Sequence, residues 1–249
     1  MPLGLHALGR GLRCCARYSM ELVYPLHCAA CGCPIDARWL CAACAQAIQP
    51  MPADHCRSCG ALLAVRGIGF CSACRQDEWL QGGACGGLYE EGTPLAAVIG
   101  NLKYRGDRAL VRFLGPRLVQ ASTALPKPEA VTFVPMTRRR QRHRGFNQAQ
   151  LLARFAAQTL ELPLASLLRK RHDTAPQAEL PRAQRLTNVS QSFSAVPTTF
   201  KRVWLVDDVR TTGSTLRACA QALHRQGVAQ VQALVLAVAA PQAKEGSCR

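Results

Sequence analysis

The stretch VWLVDDVRTTGST, Val203 to Thr215, constrains this chain more than any other. Four apolar residues, Val203 to Val206, predict a short buried strand of a parallel sheet. Two adjacent carboxylates, Asp207 and Asp208, follow directly. After Val209 and Arg210 comes a run of small residues, Thr211-Thr212-Gly213-Ser214-Thr215. Leu216, Cys219, Ala220 and Leu223 then recur at helical spacing. The order is strand, acidic edge, small-residue loop and helix start. Gly213 lets the backbone approach an anion closely. The loop amides and the positive end of the helix face that anion, and the Thr and Ser hydroxyls add donors. Carboxylates repel phosphate, but they accept hydrogen bonds from sugar hydroxyls or hold Mg²⁺ through oxygen. The combination predicts a ribose phosphate beside a magnesium site. An ordinary strand–turn–helix with a capping Ser or Thr leaves the paired Asp at a strand end without a reason. No Lys follows the Gly and G-x-G-x-x-G is missing, so neither a Walker loop nor a dinucleotide fingerprint is present.

Eight Cys fall in four C-x-x-C pairs: Cys28/Cys31, Cys41/Cys44, Cys56/Cys59 and Cys71/Cys74. A C-x-x-C turn brings two thiolates to one metal, and Gly32 and Gly60 suit the tight turn of a knuckle. Four thiolates close a tetrahedral Zn²⁺ shell, so such sites are structural rather than catalytic. The spacers favour two consecutive ribbons, Cys28/Cys31/Cys41/Cys44 and Cys56/Cys59/Cys71/Cys74. A cross-braced set, Cys28/Cys31 with Cys56/Cys59, is the alternative. Cys33 is a spare beside a ligand pair. Few large apolar residues lie between Cys28 and Cys74, so metal is expected to supply most of that segment's folding free energy.

The 249 residues suffice for one sizeable domain and a small one. A net charge of +16 favours an anionic partner: nucleic acid, nucleotide or acidic lipid. No run of about 18 apolar residues occurs, so no membrane span is expected. The first 20 residues are basic without a continuous apolar core, which predicts a flexible lead rather than a secretory signal.

Along the chain, the Gly-rich run 82–87 reads as punctuation, and Leu88-Tyr89-Glu90 as an edge strand. A short helix is expected over Pro94 to Leu102, leading into Lys103-Tyr104-Arg105-Gly106, and a longer Asp-capped one over Asp107 to Gln120. Val131 to Val134 is a second buried strand. Five Arg in seven residues, Arg138 to Arg144, stand beyond its carboxyl end, the edge where open parallel sheets bind ligands. Arg142 and Arg144 are the phosphate candidates there, by the bidentate reach of guanidinium. A helix Gln148 to Leu160, a strand Leu164 to Leu168, a basic loop at Arg169 to Gln177 and a short helix Ala178 to Val189 follow. The loop is cationic enough to close over a diphosphate. The helix after Gly213 and a final strand around Val231 to Ala240 complete the chain.

The Val203–Thr215 stretch resembles the thirteen-residue signature of type I phosphoribosyltransferases, which hold 5-phosphoribosyl 1-diphosphate (PRPP). That resemblance implies that Asp207 and Asp208 take the ribose hydroxyls. It likewise implies that Thr211, Thr212, Gly213, Ser214 and Thr215 take the 5-phosphate, with Val206 and Lys103 also among the PRPP-binding residues. Joined to an amino-terminal C-x-x-C cluster, the chain looks like the competence protein F (ComF/GntX) family. The matching residues are LVYPLHCAACG at Leu22 to Gly32, Leu-Lys-Tyr-Arg-Gly at Leu102 to Gly106 and Val134-Pro135. Further matches are Arg144 to Gln148, Thr174 with Gln177, and Arg185 with Asn188-Val189. It departs from that pattern at Gln191-Ser192-Phe193 and at Thr187.

The resemblance implies an α/β fold: a type I phosphoribosyltransferase-like parallel sheet flanked by helices, over residues 81–245. A double zinc-ribbon domain would span 21–80, after a lead at 1–20. It also implies a cytoplasmic protein that helps handle incoming single-stranded DNA in natural transformation or in DNA use. Three functions compete. A transferase would use Asp207, Asp208, Arg142 and Arg144 in catalysis, with Lys103 or the 169–171 loop also stabilising departing diphosphate. A binding module would hold a ribose phosphate or a DNA end, with the ribbons and Arg on the strand. A scaffold would dock a helicase or channel of the uptake machinery.

Overall fold

The computed structural model describes residues 26–36, 39–52, 54–63, 69–75, 79–170 and 192–239. Among them, the main sheet is parallel throughout. Strands β1 (Gly82–Cys85), β7 (Gln230–Ala239), β6 (Arg202–Arg210) and β3 (Ala130–Phe133) lie side by side in that order. β2 (Leu88–Tyr89) pairs with the far end of β7. A separate antiparallel pair joins β4 (Leu168–Lys170) to β5 (Phe193–Ala195).

Why β6 and β7 read as unbroken apolar runs is visible in the packing. Successive side chains alternate faces, and both faces are covered. Trp204 and Val206 of β6 and Leu234 and Leu236 of β7 pack on one face, with helices α3 (Pro94–Gly100), α4 (Val111–Ser122) and α6 (Gln148–Thr159). Val203, Leu205, Val231, Ala233 and Val235 pack on the other, with α7 (Ser214–His224) and the β4–β5 pair. A strand buried on both sides has no position for an alternating polar residue.

The cysteine units are divided between these faces. Cys28, Leu40 and Ile48 join the α3 side, and Cys56, Cys59 and Ala61 the α7 side. Short helices α1 (Ala42–Gln46) and α2 (Ser72–Arg75) belong to the first and second unit respectively. The second unit is held through bonds to backbone carbonyls: the Gly83 amide donates to Arg57 O at 2.9 Å, and the Ser58 hydroxyl to Leu80 O at 2.6 Å.

Several expectations change in detail. The Gly-rich run is not punctuation: Gly82 to Cys85 is a strand in the sheet. A Cβ on Gly83 would lie 2.8 Å from the Cys59 backbone, so that glycine admits the knuckle rather than turning the chain. The motif strand continues beyond Val206 to Arg210, because β7 offers partners as far as Val238. The Arg run is α5 (Arg138–Arg144), capped by Thr137 Oγ1 and closed by Gly145 at φ +79°. Instead of a strand at Leu164 to Leu168, Leu164 makes a single parallel bridge to Val131, and pairing resumes in β4. Arg169 and Lys170 are strand residues of β4. The expected lead at 1–20, residues 22–25, the basic loop from 171 and the helix expected over 178–189 lie outside the described residues.

Candidate functional site

β6 carries the acid pair to the carboxyl edge of the sheet while remaining paired, with Asp207 opposite Val235. The Asp208 amide donates to Asp207 Oδ1 at 2.9 Å, and the Val209 amide to Asp208 Oδ1 at 2.8 Å. Lys103 Nζ lies 2.9 Å from Asp208 Oδ2, with both side chains mostly shielded from solvent. Burial pushes the Asp207 carboxyl well above its ordinary range and the Asp208 charge adds to the push; the Asp208 amide and Lys103 oppose it without cancelling it. Such a carboxylate gains from any cation or hydroxyl donor that reaches the edge.

Lys103 arrives on an irregular element. α3 starts at Thr93, whose Oγ1 accepts from the Ala96 amide, and then opens into a π-helical turn, Asn101–Arg105. Gly106 ends it at φ +73°. Widened turns of this kind are uncommon and gather at functional sites. This one buries Leu102 completely and sends Lys103 to the acids, and Tyr104 is 79% exposed. The Arg144 guanidinium lies 5.2 Å from the Tyr104 ring centroid and donates to Gln148 Oε1 at 3.2 Å. Arg144 therefore stands beside the turn that delivers Lys103. Arg142 is exposed on α5, as are Arg138, Arg139 and Arg140.

Beyond β6, Thr211 and Thr212 are exposed and Gly213 takes φ +79°, directly before α7. The Thr212 and Ser214 hydroxyls lie 3.0 Å apart, and the Ser214 amide donates to Thr212 Oγ1 at 3.3 Å. The first amides of a helix have no intrahelical acceptor, so an open hydroxyl-lined turn at the start of α7 suits an anion. The structure thus brings together Val206, Asp207, Asp208, Lys103 and the 211–215 turn on one edge. Sequence reasoning gave Arg210 no role, although it stands inside the motif. It is only 7% exposed, and its Nη1 donates to Thr211 O at 3.2 Å. Nothing in composition or periodicity marks a buried Arg at a strand end.

The Cys assemble as two consecutive sets. The Sγ atoms of Cys28, Cys31, Cys41 and Cys44 lie within 4.8 Å of one another, as do those of Cys56, Cys59, Cys71 and Cys74. Cys31 to Cys41 and Cys59 to Cys71 are both 3.8 Å apart, Sγ to Sγ. A tetrahedral zinc shell with Zn–S near 2.3 Å has edges of about 3.8 Å. The donor set and spacing therefore fit structural Zn²⁺. For Cys28, burial raises the thiol pKa, but amide hydrogen bonds from Cys31, Cys41 and Ala30 outweigh it and bring it to about 6.

A parallel sheet covered on both faces, with an acid pair and a hydroxyl-lined turn at the carboxyl edge of an inner strand, defines a phosphoribosyltransferase-like protein with an amino-terminal Cys₄ pair. Residues 147–247 match the phosphoribosyl transferase domain family. Competence protein F of Haemophilus influenzae is 33% identical over 211 residues, which span 80% of this chain and 90% of that protein. DNA utilization protein YhgH of Salmonella typhi is 33% identical over 223 residues, 85% of this chain and 96% of the relative. The chain belongs to the competence protein F family. Among solved structures, the B. subtilis glutamine PRPP amidotransferase complexed with ADP and GMP is 25% identical over 51% of this chain and 26% of its own, with a TM-score of 0.38. No helix among the described residues is long and apolar enough to cross a membrane.

The raised Asp207 pKa sets the sign of a stability prediction. Above the ordinary value of 3.8, the folded chain holds a proton that the unfolded chain has lost, so stability falls as pH climbs through that window. Each pH unit inside the window costs up to about 1.4 kcal/mol. Asp207→Asn should therefore melt at higher temperature than wild type at pH 7, with the difference shrinking to nothing as pH falls towards 3.8. Parallel calorimetric scans of the two proteins across pH check this. A variant that melts lower at pH 7 contradicts it.

Proposed function

We propose that this protein binds PRPP or a close ribose phosphate with Mg²⁺ at the Asp207–Asp208 edge, and that it acts in the cytoplasm on single-stranded DNA taken up or used by the cell. The observation that carries the first half is the Asp208–Lys103 pair at 2.9 Å beside a raised Asp207 carboxyl, set against the open 211–215 turn. Asp207 and Asp208 accept from the ribose hydroxyls. Thr211, Thr212, Gly213, Ser214 and Thr215 hold the 5-phosphate. Bound Mg²⁺, held with PRPP at the Asp207–Asp208 edge, would supply positive charge against the diphosphate, and Lys103 moves from Asp208 towards the diphosphate as the sugar takes its place.

In a transfer reaction, Lys103, Arg142 and Arg144 stabilise the departing diphosphate. A second reading, in which the site holds the sugar without turnover, is favoured by one contact: Arg144 is already engaged by Tyr104 and Gln148. The DNA half is supported by the names of the relatives, a competence protein and a DNA utilization protein. It is also supported by a groove of about 610 Å³ on the second Cys₄ unit, lined by Arg57, Phe70 and Arg75 among others. Phe70 is 43% exposed there. Cations beside an exposed aromatic suit a phosphate backbone and a stacked base. Partner proteins of the uptake machinery would meet this same side.

Calorimetry with PRPP and Mg²⁺ tests the sugar site. Wild type should bind, and Asp207→Asn/Asp208→Asn should weaken binding at least about tenfold, the loss of one or two charged hydrogen bonds. Diphosphate release on adding bases, nucleosides or oligonucleotides separates transfer from holding. Equal heats from wild type and the double variant end the assignment. For DNA, Phe70→Ala should weaken binding of a fluorescent single strand by about 1–3 kcal/mol without changing PRPP affinity. Unchanged anisotropy would remove the groove from the interface.

A further inference from the structure

Arg210 stands between two features that are far apart in sequence. On one side is the phosphate turn. Its Nη1 donates to Thr211 O, and its Nε and Nη2 lie 3.0 Å from where a Cβ on Gly213 would be. On the other side is the second Cys₄ unit. Arg210, Cys59, Cys74, Thr212 and Gly213 all line one cavity of about 20 Å³, room for a single water. The unit is packed against the sheet beside it: a Cβ on Gly60 would touch Cys85 and Val238, and Val238 is the β7 partner of Arg210. Arg210 Nε is buried and makes no hydrogen bond.

A buried guanidinium with an unpaired N–H is costly unless it faces negative charge. Four thiolates around one Zn²⁺ leave the shell net negative, and groups hydrogen-bonded to ligand sulfur orient and tune a metal site. The cavity that Arg210 shares with Cys59 and Cys74 places this guanidinium beside that sulfur shell.

We propose that Arg210 is a positioning residue that couples the second Cys₄ unit to the phosphate turn, so that metal and ribose phosphate bind with positive linkage. Held against a metal-bound sulfur shell, its guanidinium braces Thr211 O and the left-handed Gly213 in the form that receives a phosphate. Without metal the guanidinium loses its anionic partner and the turn its brace. This inference rests on the reading of the 211–215 turn as the phosphate site.

Linkage is reciprocal, which supplies the test. Full-length, zinc-loaded protein is titrated with a zinc-selective chelator at fixed Mg²⁺, with and without saturating PRPP. PRPP should raise the chelator concentration that removes the metal at least about fivefold in wild type, the lower end of ordinary allosteric coupling. The shift should fall below about twofold in Arg210→Met, and Arg210→Lys, which keeps the charge, should restore much of it. PRPP affinity of the zinc-loaded Met variant should fall several-fold below that of zinc-loaded wild type, because the turn has lost its brace. Arg210→Gln replaces Met in the comparison if the Met variant does not load zinc. Equal shifts in wild type and the uncharged variant overturn the coupling and leave the PRPP assignment standing. No PRPP binding to zinc-loaded wild type overturns both.

Discussion

The carboxylate pair in the carboxyl half of β6 is the group the surrounding structure serves. Asp207 is disfavoured as an anion by burial and by its neighbour, and Lys103 meets Asp208 at 2.9 Å. Two such carboxylates persist at a strand end only if the chain around them is held in place. β7 runs beside them and keeps the strand paired as far as Arg210. The π-helical turn with Lys103 is anchored by fully buried Leu102. Asn101, in that same turn, donates to Ala29 O of the first Cys₄ unit at 2.7 Å. The charge arrangement that is unfavourable in the free protein is what a ligand with hydroxyls and a divalent cation would relieve.

The two Cys₄ units follow from the same constraint. Each contributes residues to a different face of the sheet, and each touches one arm of the site. The first meets the turn that carries Lys103, and the second meets β1 and lies next to Arg210. Structural zinc contributes about 10–16 kcal/mol in isolated fingers, comparable with the whole net stability of about 5–15 kcal/mol of an ordinary domain. Under the proposed linkage, loss of metal would reach the phosphate turn as well as the cysteine units. Gly83 shows how closely unit and sheet are joined, since no side chain fits between β1 and the Cys59 knuckle.

Much of this was legible in the sequence where a residue type has one physical use. The apolar motif strand, the turn at Gly213 opening a helix and the long final strand are all present, although the motif strand carries the acids within it and runs on to Arg210. The cysteine spacers gave the consecutive sets. What was hidden depends on tertiary contact. Glycines at 82 and 83 carry no strand propensity, and the requirement for glycine at 83 shows only in the approach of the Cys59 knuckle. The Arg run hid a helix because no apolar stripe marks it; Thr137 and Gly145 at its ends were the available signals. Arg210 reads as a surface charge until β7 and the second unit bury it.

A crystal structure of the zinc-loaded protein with PRPP and Mg²⁺ tests the central claim most directly. The account predicts ribose hydroxyls on Asp207 and Asp208, the 5-phosphate in the 211–215 turn, and Lys103 drawn away from Asp208. A sugar bound elsewhere, with Lys103 and Asp208 still paired, would contradict it.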